Sequence, residues 1–194
     1  MAQPRLATLA DIEAAVWQQL ARAPRDKHHE WRTAVLATAS VDGADARTVV
    51  LREVDASARQ LMIYTDSRAG KVAQLRAQPH GTLVLWSARL GWQLRCRLAC
   101  TVHEAGLAVA SRWERLKLTR AAHDYLSLEA PGQVSAGAEG AGETTRMTPP
   151  LALSERACFA IIEAQVLEID WLELHPEGHR RARFDSTGRH WLVP

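Results

Sequence analysis

Little in this chain marks an oxidised, metal-bound or membrane-spanning protein. Cysteine occurs three times in 194 residues, at Cys96, Cys100 and Cys158, with no CxxC pair and no Cys/His metal spacing. Cys96 and Cys100, four apart on a strand, share a face but stand too far apart to bridge. The thiols therefore read as buried and reduced, and a cytoplasmic location is the expectation. No long apolar run occurs, so neither a signal peptide nor a membrane span is expected. Charge of one sign is barely in excess. The net +2, with histidines neutral, is too weak for a nucleic-acid or anionic-membrane footprint. Any anion site has to be local. Phenylalanine and tyrosine number two each against seven tryptophans; an indole suits core, interface and stacking positions alike. The chain also lacks a GxxxxGK[ST] loop, a GxGxxG turn after a strand and a GxSxG elbow. Those absences disfavour a P-loop, a nicotinamide Rossmann site and a serine hydrolase.

What is present is ordinary globular material, 47% hydrophobic and 24% charged, in a length that allows one domain with a sizeable core. Residues 8–23 read as a helix, with Thr8 as cap and Asp11 completing a capping box. Leu9, Ile12, Val16, Leu20 and Ala23 recur along it at helical spacing. The segment 23–30 is a polar loop in which His28 and His29 read as solvated. Strands are expected over 33–40, 44–54, 61–65, 82–86 and 92–102, with one or two more over 158–174 and a last one near the C-terminus. A helix follows the third strand, capped by Asp66 or Ser67 and stopped by Pro79. Residues 105–126 read as a further helix whose Arg112, Glu114, Arg115, Lys117 and Arg120 form a solvated face. The segment 129–150 is rich in Gly, Ala, Ser, Thr and Pro and reads as a long loop or lid. Six or seven strands joined mostly by short turns favour antiparallel pairing. The expected fold is mainly β with flanking helices: a single barrel domain over 1–194, with its core at 33–104.

The stretch 44–95 carries the chemistry. Arg47 and Arg52 sit on opposite faces of one strand, Arg68 and Lys71 follow the next, and Arg95 lies on a later one. Rigidly held cations beside a helix N-terminus suit a phosphate-bearing ligand, because little ordering entropy is lost when the anion arrives. Gln93, on the polar face with Arg95, can bond the edge of a heterocycle.

The series RTVVLR, YTDSRAGK, WQLRCR and HRRARF…WLVP resembles the FMN-binding split-barrel family of pyridoxamine 5′-phosphate oxidase, and most closely its oxidase-related subgroup. The likeness spans roughly 12–104 and 158–194, and rests on the order and spacing of the motifs. It implies an FMN-binding split β-barrel, FMN as cofactor, and a homodimer with flavin sites between the subunits. By that resemblance Arg47, Thr48, Val49, Val50, Leu51 and Arg52 line the flavin, with Arg47 toward its phosphate. Tyr64 and Thr65 end the next strand, with Thr65 on the phosphate. Arg68 and Lys71 serve the phosphate site and Gln93 lies beside the ring. Arg183 and Gln133 reach the partner's flavin. The chain departs from the oxidases in having Arg52 for a lysine, Gly70 for an arginine, and HRRAR in place of their RxHxR pattern, so that the substrate histidine of that pattern is missing. FMN binding is therefore the firmer implication and oxidation of a vitamin B6 phosphate the weaker. The resulting expectation is flavin-mediated redox of a small molecule, with a non-catalytic flavin carrier and a ligand-free barrel as the competing readings. No general acid, base or metal ligand is assigned.

Overall fold

The computed structural model describes residues 5–126, 129–133 and 158–194. Helix α1 (Leu9–Arg22) begins at Thr8, whose Oγ1 accepts from the Asp11 amide at 3.1 Å and donates to Asp11 Oδ2 at 2.6 Å. Its apolar stripe puts Ile12, Val16 and Leu20 into the main core. A 3₁₀ turn (Glu30–Arg32) leads into β1 (Thr33–Ser40) and β2 (Gly43–Asp55), a hairpin closed at Ser40 and Gly43. Then come β3 (Gln60–Asp66), α2 (Gly70–Ala77), β4 (His80–Ser87) and β5 (Trp92–His103). Helix α3 (Leu107–Leu116) and a 3₁₀ segment (Arg120–Tyr125) follow, and β6 (Phe159–Glu173), β7 (Arg180–Asp185) and β8 (Gly188–Leu192) complete the sheet.

The strand order is β3-β2-β1-β4-β5-β6-β7-β8, all antiparallel, with an added β3–β6 pairing. That pairing closes β1 to β6 into a six-stranded barrel. Strand β6 is one 15-residue strand rather than two. Its first half pairs with β3 and its second half, on the same edge, with β7. An irregularity opposite Arg97 and Leu98 bends it where it changes partner, so the expected break near Glu163 is a bulge instead.

Alternation directs Leu36, Leu51, Ile63, Leu83, Leu94, Cys96 and Ile169 into one core. Cys96 and Cys100 are free and buried, and burial pushes their thiols up to about 12 and about 11. Tryptophan supplies much of the interior. Trp31 lies 6.4 Å from Trp92, and Trp92 meets Trp171 edge-on at 5.4 Å; each such pair adds roughly 0.5–1.5 kcal/mol beyond area burial. The turn between β4 and β5 needs its glycine. Gly91 has φ of 65°, and a Cβ there would stand 2.6 Å from the Leu174 carbonyl oxygen.

A second apolar cluster lies outside the barrel, where Val109, Trp113 and Leu116 of α3 and Tyr125 pack on Phe159 and Ile161. The helix expected over 105–126 is shorter because its stripe fails after Leu116: Leu118 is 83% exposed. Position 134 onward of the expected 129–150 lid lies outside the described residues. No described helix is long and apolar enough to cross a membrane.

His29 is not a solvated loop residue. It is 8% exposed, its Nδ1 accepts from the Trp31 amide at 3.1 Å, and its Nε2 is 3.0 Å from Gln19 Oε1. Burial, then the Arg22 charge, holds its pKa below the ordinary 6.5. The ring is neutral in the fold, while the unfolded chain takes up the proton near 6.5. Stability from this site is thus complete above that pH and lost as pH falls below it. Denaturant midpoints measured at pH 7.5 and 5.5 should fall more for the wild type than for His29→Gln; equal falls would contradict the neutral-ring assignment.

Candidate functional site

The hairpin end of β1 and β2 carries one polar network, built from residues far apart in sequence. Arg47 shares the inward face of β2 with Val49 and Leu51, and both of these are buried. Its Nη1 donates to Thr38 Oγ1 at 2.5 Å and to the Leu36 carbonyl at 3.3 Å, and its Nη2 to Gln74 Oε1 at 2.9 Å. Asp45 completes the set as an ion-pair partner of Arg47. Gln74 Nε2 donates to Asp45 Oδ2 at 2.8 Å, and this bond, with Arg47, holds the Asp45 carboxyl below the usual range. Gln74 lies on α2, so Arg47 is tied to the helix that follows β3.

Helix α2 starts later than its sequence implies. Neither Asp66 nor Ser67 caps it; the capping position is Ala69, with no side-chain bond. Asp66 is instead the last residue of β3 and is spent on Arg68. Its Oδ1 accepts from the Arg68 amide at 2.8 Å and from Nε at 3.0 Å, and Oδ2 accepts from Nη2 at 2.7 Å. Those bonds hold the Arg68 guanidinium above its usual range. The amides of Gly70 and Lys71 are consequently left without partners among the described residues.

Lys71 stands at that uncapped end. It is partly buried, and no described residue gives it a hydrogen bond or an ion pair. Burial first, then the charge of Arg47, holds its ammonium below the ordinary 10.5. A cation desolvated beside a second cation destabilises the fold unless an anion joins it. Thr65, buried nearby at the end of β3, donates only to the Asp66 carbonyl at 3.3 Å. Lysine, free amides and a positive helix end are together the donor set that a phosphate requires.

A second region lies on the outer face of β2 and β3. The β2 register shifts between Leu51 and Glu53, which sends Arg52 and Glu53 both outward. The Arg52 guanidinium stands 5.8 Å over the Tyr64 ring, its Nε is buried without a partner, and it has no acid partner among the described residues. Glu53 was not expected here. Its Oε1 accepts from Tyr64 Oη at 2.5 Å and from Arg112 Nε at 2.8 Å, and its Oε2 from Arg112 Nη2 at 2.8 Å. Burial opposes the Glu53 charge, but these bonds outweigh it and hold the carboxyl below the usual range. Burial and the Glu53 carboxylate push the Tyr64 phenol upward. Arg112 thus leaves the solvated face expected for it. No sequence spacing links Glu53 to Arg112, and only the docking of α3 on β3 and β6 brings them together.

The remaining expected residues lie elsewhere. Thr48 is exposed and Val50 half-buried on the outward face, where Val35 is 41% and Trp86 45% exposed. Gln93 pairs with Leu172, and Arg183 with Asp170 and Asp185. Thr65 pairs with Ala160, so the span from Ala160 to Asp170 separates the two ends by about 33 Å along β6 at 3.3 Å per residue. Gln133 sits in an exposed turn, its Oε1 accepting from the Ala130 amide at 3.3 Å. One chain therefore gathers Thr65, Arg68, Lys71 and Arg47, and holds Arg183 apart from them.

Residues 14–104 match the family model described as pyridoxamine 5′-phosphate oxidase, FMN-binding domain. No curated protein matches the chain. Among solved structures, it is similar to a pyridoxamine 5′-phosphate oxidase-related, FMN binding protein from Nostoc punctiforme PCC 73102. That match has a TM-score of 0.73 at 21% identity and covers 98% of this chain and 100% of that one. PhzG from Burkholderia lata 383, solved with tetrahydrophenazine-1-carboxylic acid, matches at a TM-score of 0.69 and 17% identity, covering 100% and 99%. A heme binding protein from Mycobacterium smegmatis matches at 0.50 and 13%, covering 93% of this chain and 59% of that one. At these identities the likeness is one of fold, the split barrel.

Replacing Lys71 by methionine should raise the melting temperature of the ligand-free protein by a few degrees, on the order of 1 kcal/mol, and should lower its affinity for phosphate. A drop in melting temperature would show the ammonium already compensated.

Proposed function

We propose that this protein holds FMN and uses it to oxidise or reduce a small molecule, a reading supported by the match of residues 14–104 to the family model described as pyridoxamine 5′-phosphate oxidase, FMN-binding domain. The observation that carries this reading is the partly buried Lys71, with no hydrogen-bond or ion-pair partner among the described residues, beside the free amides at the start of α2. The residues fit the cofactor's charged end. Lys71 supplies a point charge, the Gly70 and Lys71 amides supply directed donors, and Thr65 supplies a hydroxyl at the end of β3. Arg47 and Gln74 hold the helix start in register with β2. Arg68, already oriented by Asp66, adds positive potential at low ordering cost. Arg52, with its buried unpartnered Nε, offers a further donor beside Tyr64.

Bound FMN supplies the electron-accepting and electron-donating chemistry, for which the protein needs no nucleophile of its own. The chain's part is to anchor the phosphate, to present the outward faces of β2 and β3 as a wall, and to exclude water with the α3 cluster.

The working unit in this reading is a homodimer. Within one chain Arg183 lies too far along β6 to share a ligand with Thr65. A second copy resting on the outward face would bring its own Arg183 to that ligand. The exposed Val35 and Trp86 on that face give such a contact an apolar centre.

Purified protein should be yellow with a flavin absorbance spectrum and should sediment as a dimer. The double variant Arg47→Ala, Lys71→Ala should bind FMN at least about tenfold more weakly, given about 1.5–3 kcal/mol for the Lys71 contact and the loss of the hold that Arg47 has on α2. A heme Soret band in place of the flavin spectrum, or unchanged FMN affinity in the double variant, would overturn the reading. Turnover of a reduced substrate with loss of the flavin absorbance would separate an oxidoreductase from a carrier.

A further inference from the structure

Cations around the proposed flavin site fall into two groups. Lys71 and Arg52 have no acid partner among the described residues, whereas Arg47 is paired with Asp45 and Arg112 with Glu53. The Arg112 pair stands out by its geometry. Both arms of the guanidinium that face the sheet are filled, one on each Glu53 oxygen, at 2.8 Å. This two-point fork is the geometry in which arginine receives an external carboxylate or phosphate. Here the acid comes from the protein's own β2. The third arm, Nη1, is turned back to the Ala108 carbonyl at 3.2 Å. Tyr64 donates to the same Glu53 oxygen as Arg112, so the carboxylate is fixed from both sides.

The position is what gives the pair a meaning. Glu53 directly follows Arg52, and Tyr64 directly precedes Thr65, so the network abuts both strand segments assigned to the flavin. An anionic group arriving at Arg112 would meet a fixed negative charge and a guanidinium whose Nε/Nη2 fork is already filled, with one N–H left on each of Nη1 and Nη2. The only other cation of α3 that acts on Glu53 is Arg115, which is exposed and donates through Nε to the Ser111 carbonyl at 3.3 Å. Resting on the flavin reading above, we infer that Glu53 is a specificity-determining residue: it fills the Nε/Nη2 fork of Arg112, neutralises its charge and so turns away a second ligand that carries a phosphate at this end. The molecule that meets the flavin is then uncharged or cationic where it faces α3. Selectivity arises here by repulsion, not by an added attraction.

Calorimetric titration of the FMN-loaded protein in phosphate-free buffer, with phenyl phosphate and benzyl alcohol as matched probes, tests this. The wild type should bind phenyl phosphate no more tightly than benzyl alcohol. Glu53→Gln keeps the shape and an acceptor for Tyr64 but leaves Arg112 uncompensated. It should bind phenyl phosphate at least about tenfold more tightly than the wild type, and Glu53→Gln with Arg112→Gln should lose that gain. Preference of the wild type for phenyl phosphate would overturn the inference, with or without a folded variant. So would an FMN-loaded Glu53→Gln protein that shows no gain. FMN content, read from the absorbance of the same samples, reports on the flavin reading separately.

Discussion

Strand β6 is the member on which the rest of the structure depends. It runs for 15 residues, pairs with β5 from Ile161 to Glu173, and shares its other edge between β3 and β7. A strand has one row of donors and acceptors on each edge, so the two partners must divide it, and the bulge near Val166 is where the division falls. The pairing with β3 closes the barrel and protects two edges that would otherwise be open. The pairing with β7 sends the C-terminal hairpin away from the barrel seam. The same arrangement places the end of β3, and with it the start of α2, at one end of β6 and Arg183 toward the other.

Charge is distributed according to that frame. Where acids and bases are partly buried, most are compensated. Glu173 accepts from Arg5 and Arg180, Asp170 from Arg95 and Arg181, and Glu13 from Arg59 and Arg189. Such pairs contribute little net stability but are costly to break. Against this background Lys71 is anomalous: among the described residues no acid is within ion-pairing distance of it, and the more distant charges of Asp66 and Asp45 do not offset its burial and the charge of Arg47. Fold stability alone does not explain a desolvated ammonium beside an uncapped helix with no ion-pair partner among the described residues. The anion site proposed above does. Arg112 shows the opposite solution, a cation neutralised within the protein. The contrast between the two defines which end of the surface can accept a phosphate and which cannot.

The sequence by itself determined the strands and the cation inventory. Alternation, a capping Thr8 and the 40–43 turn are local signals, governed by backbone geometry within a few residues, and each reappears in the structure. The burial of Cys96 and Cys100 was legible for the same reason, whereas Cys158, read as buried with them, is half-buried. Only the tertiary structure decided which cations are free. Asp66 could be read as a helix cap, yet the strand end turns its carboxylate to Arg68. Arg112 could be read as solvated, yet docking of α3 on Phe159 carries it to Glu53, which lies 59 positions earlier in the chain. His29 could be read as loop, yet it is enclosed by α1 and the turn before β1. Pairing between distant groups depends on packing and on loop closure, neither of which leaves a periodic mark in the sequence.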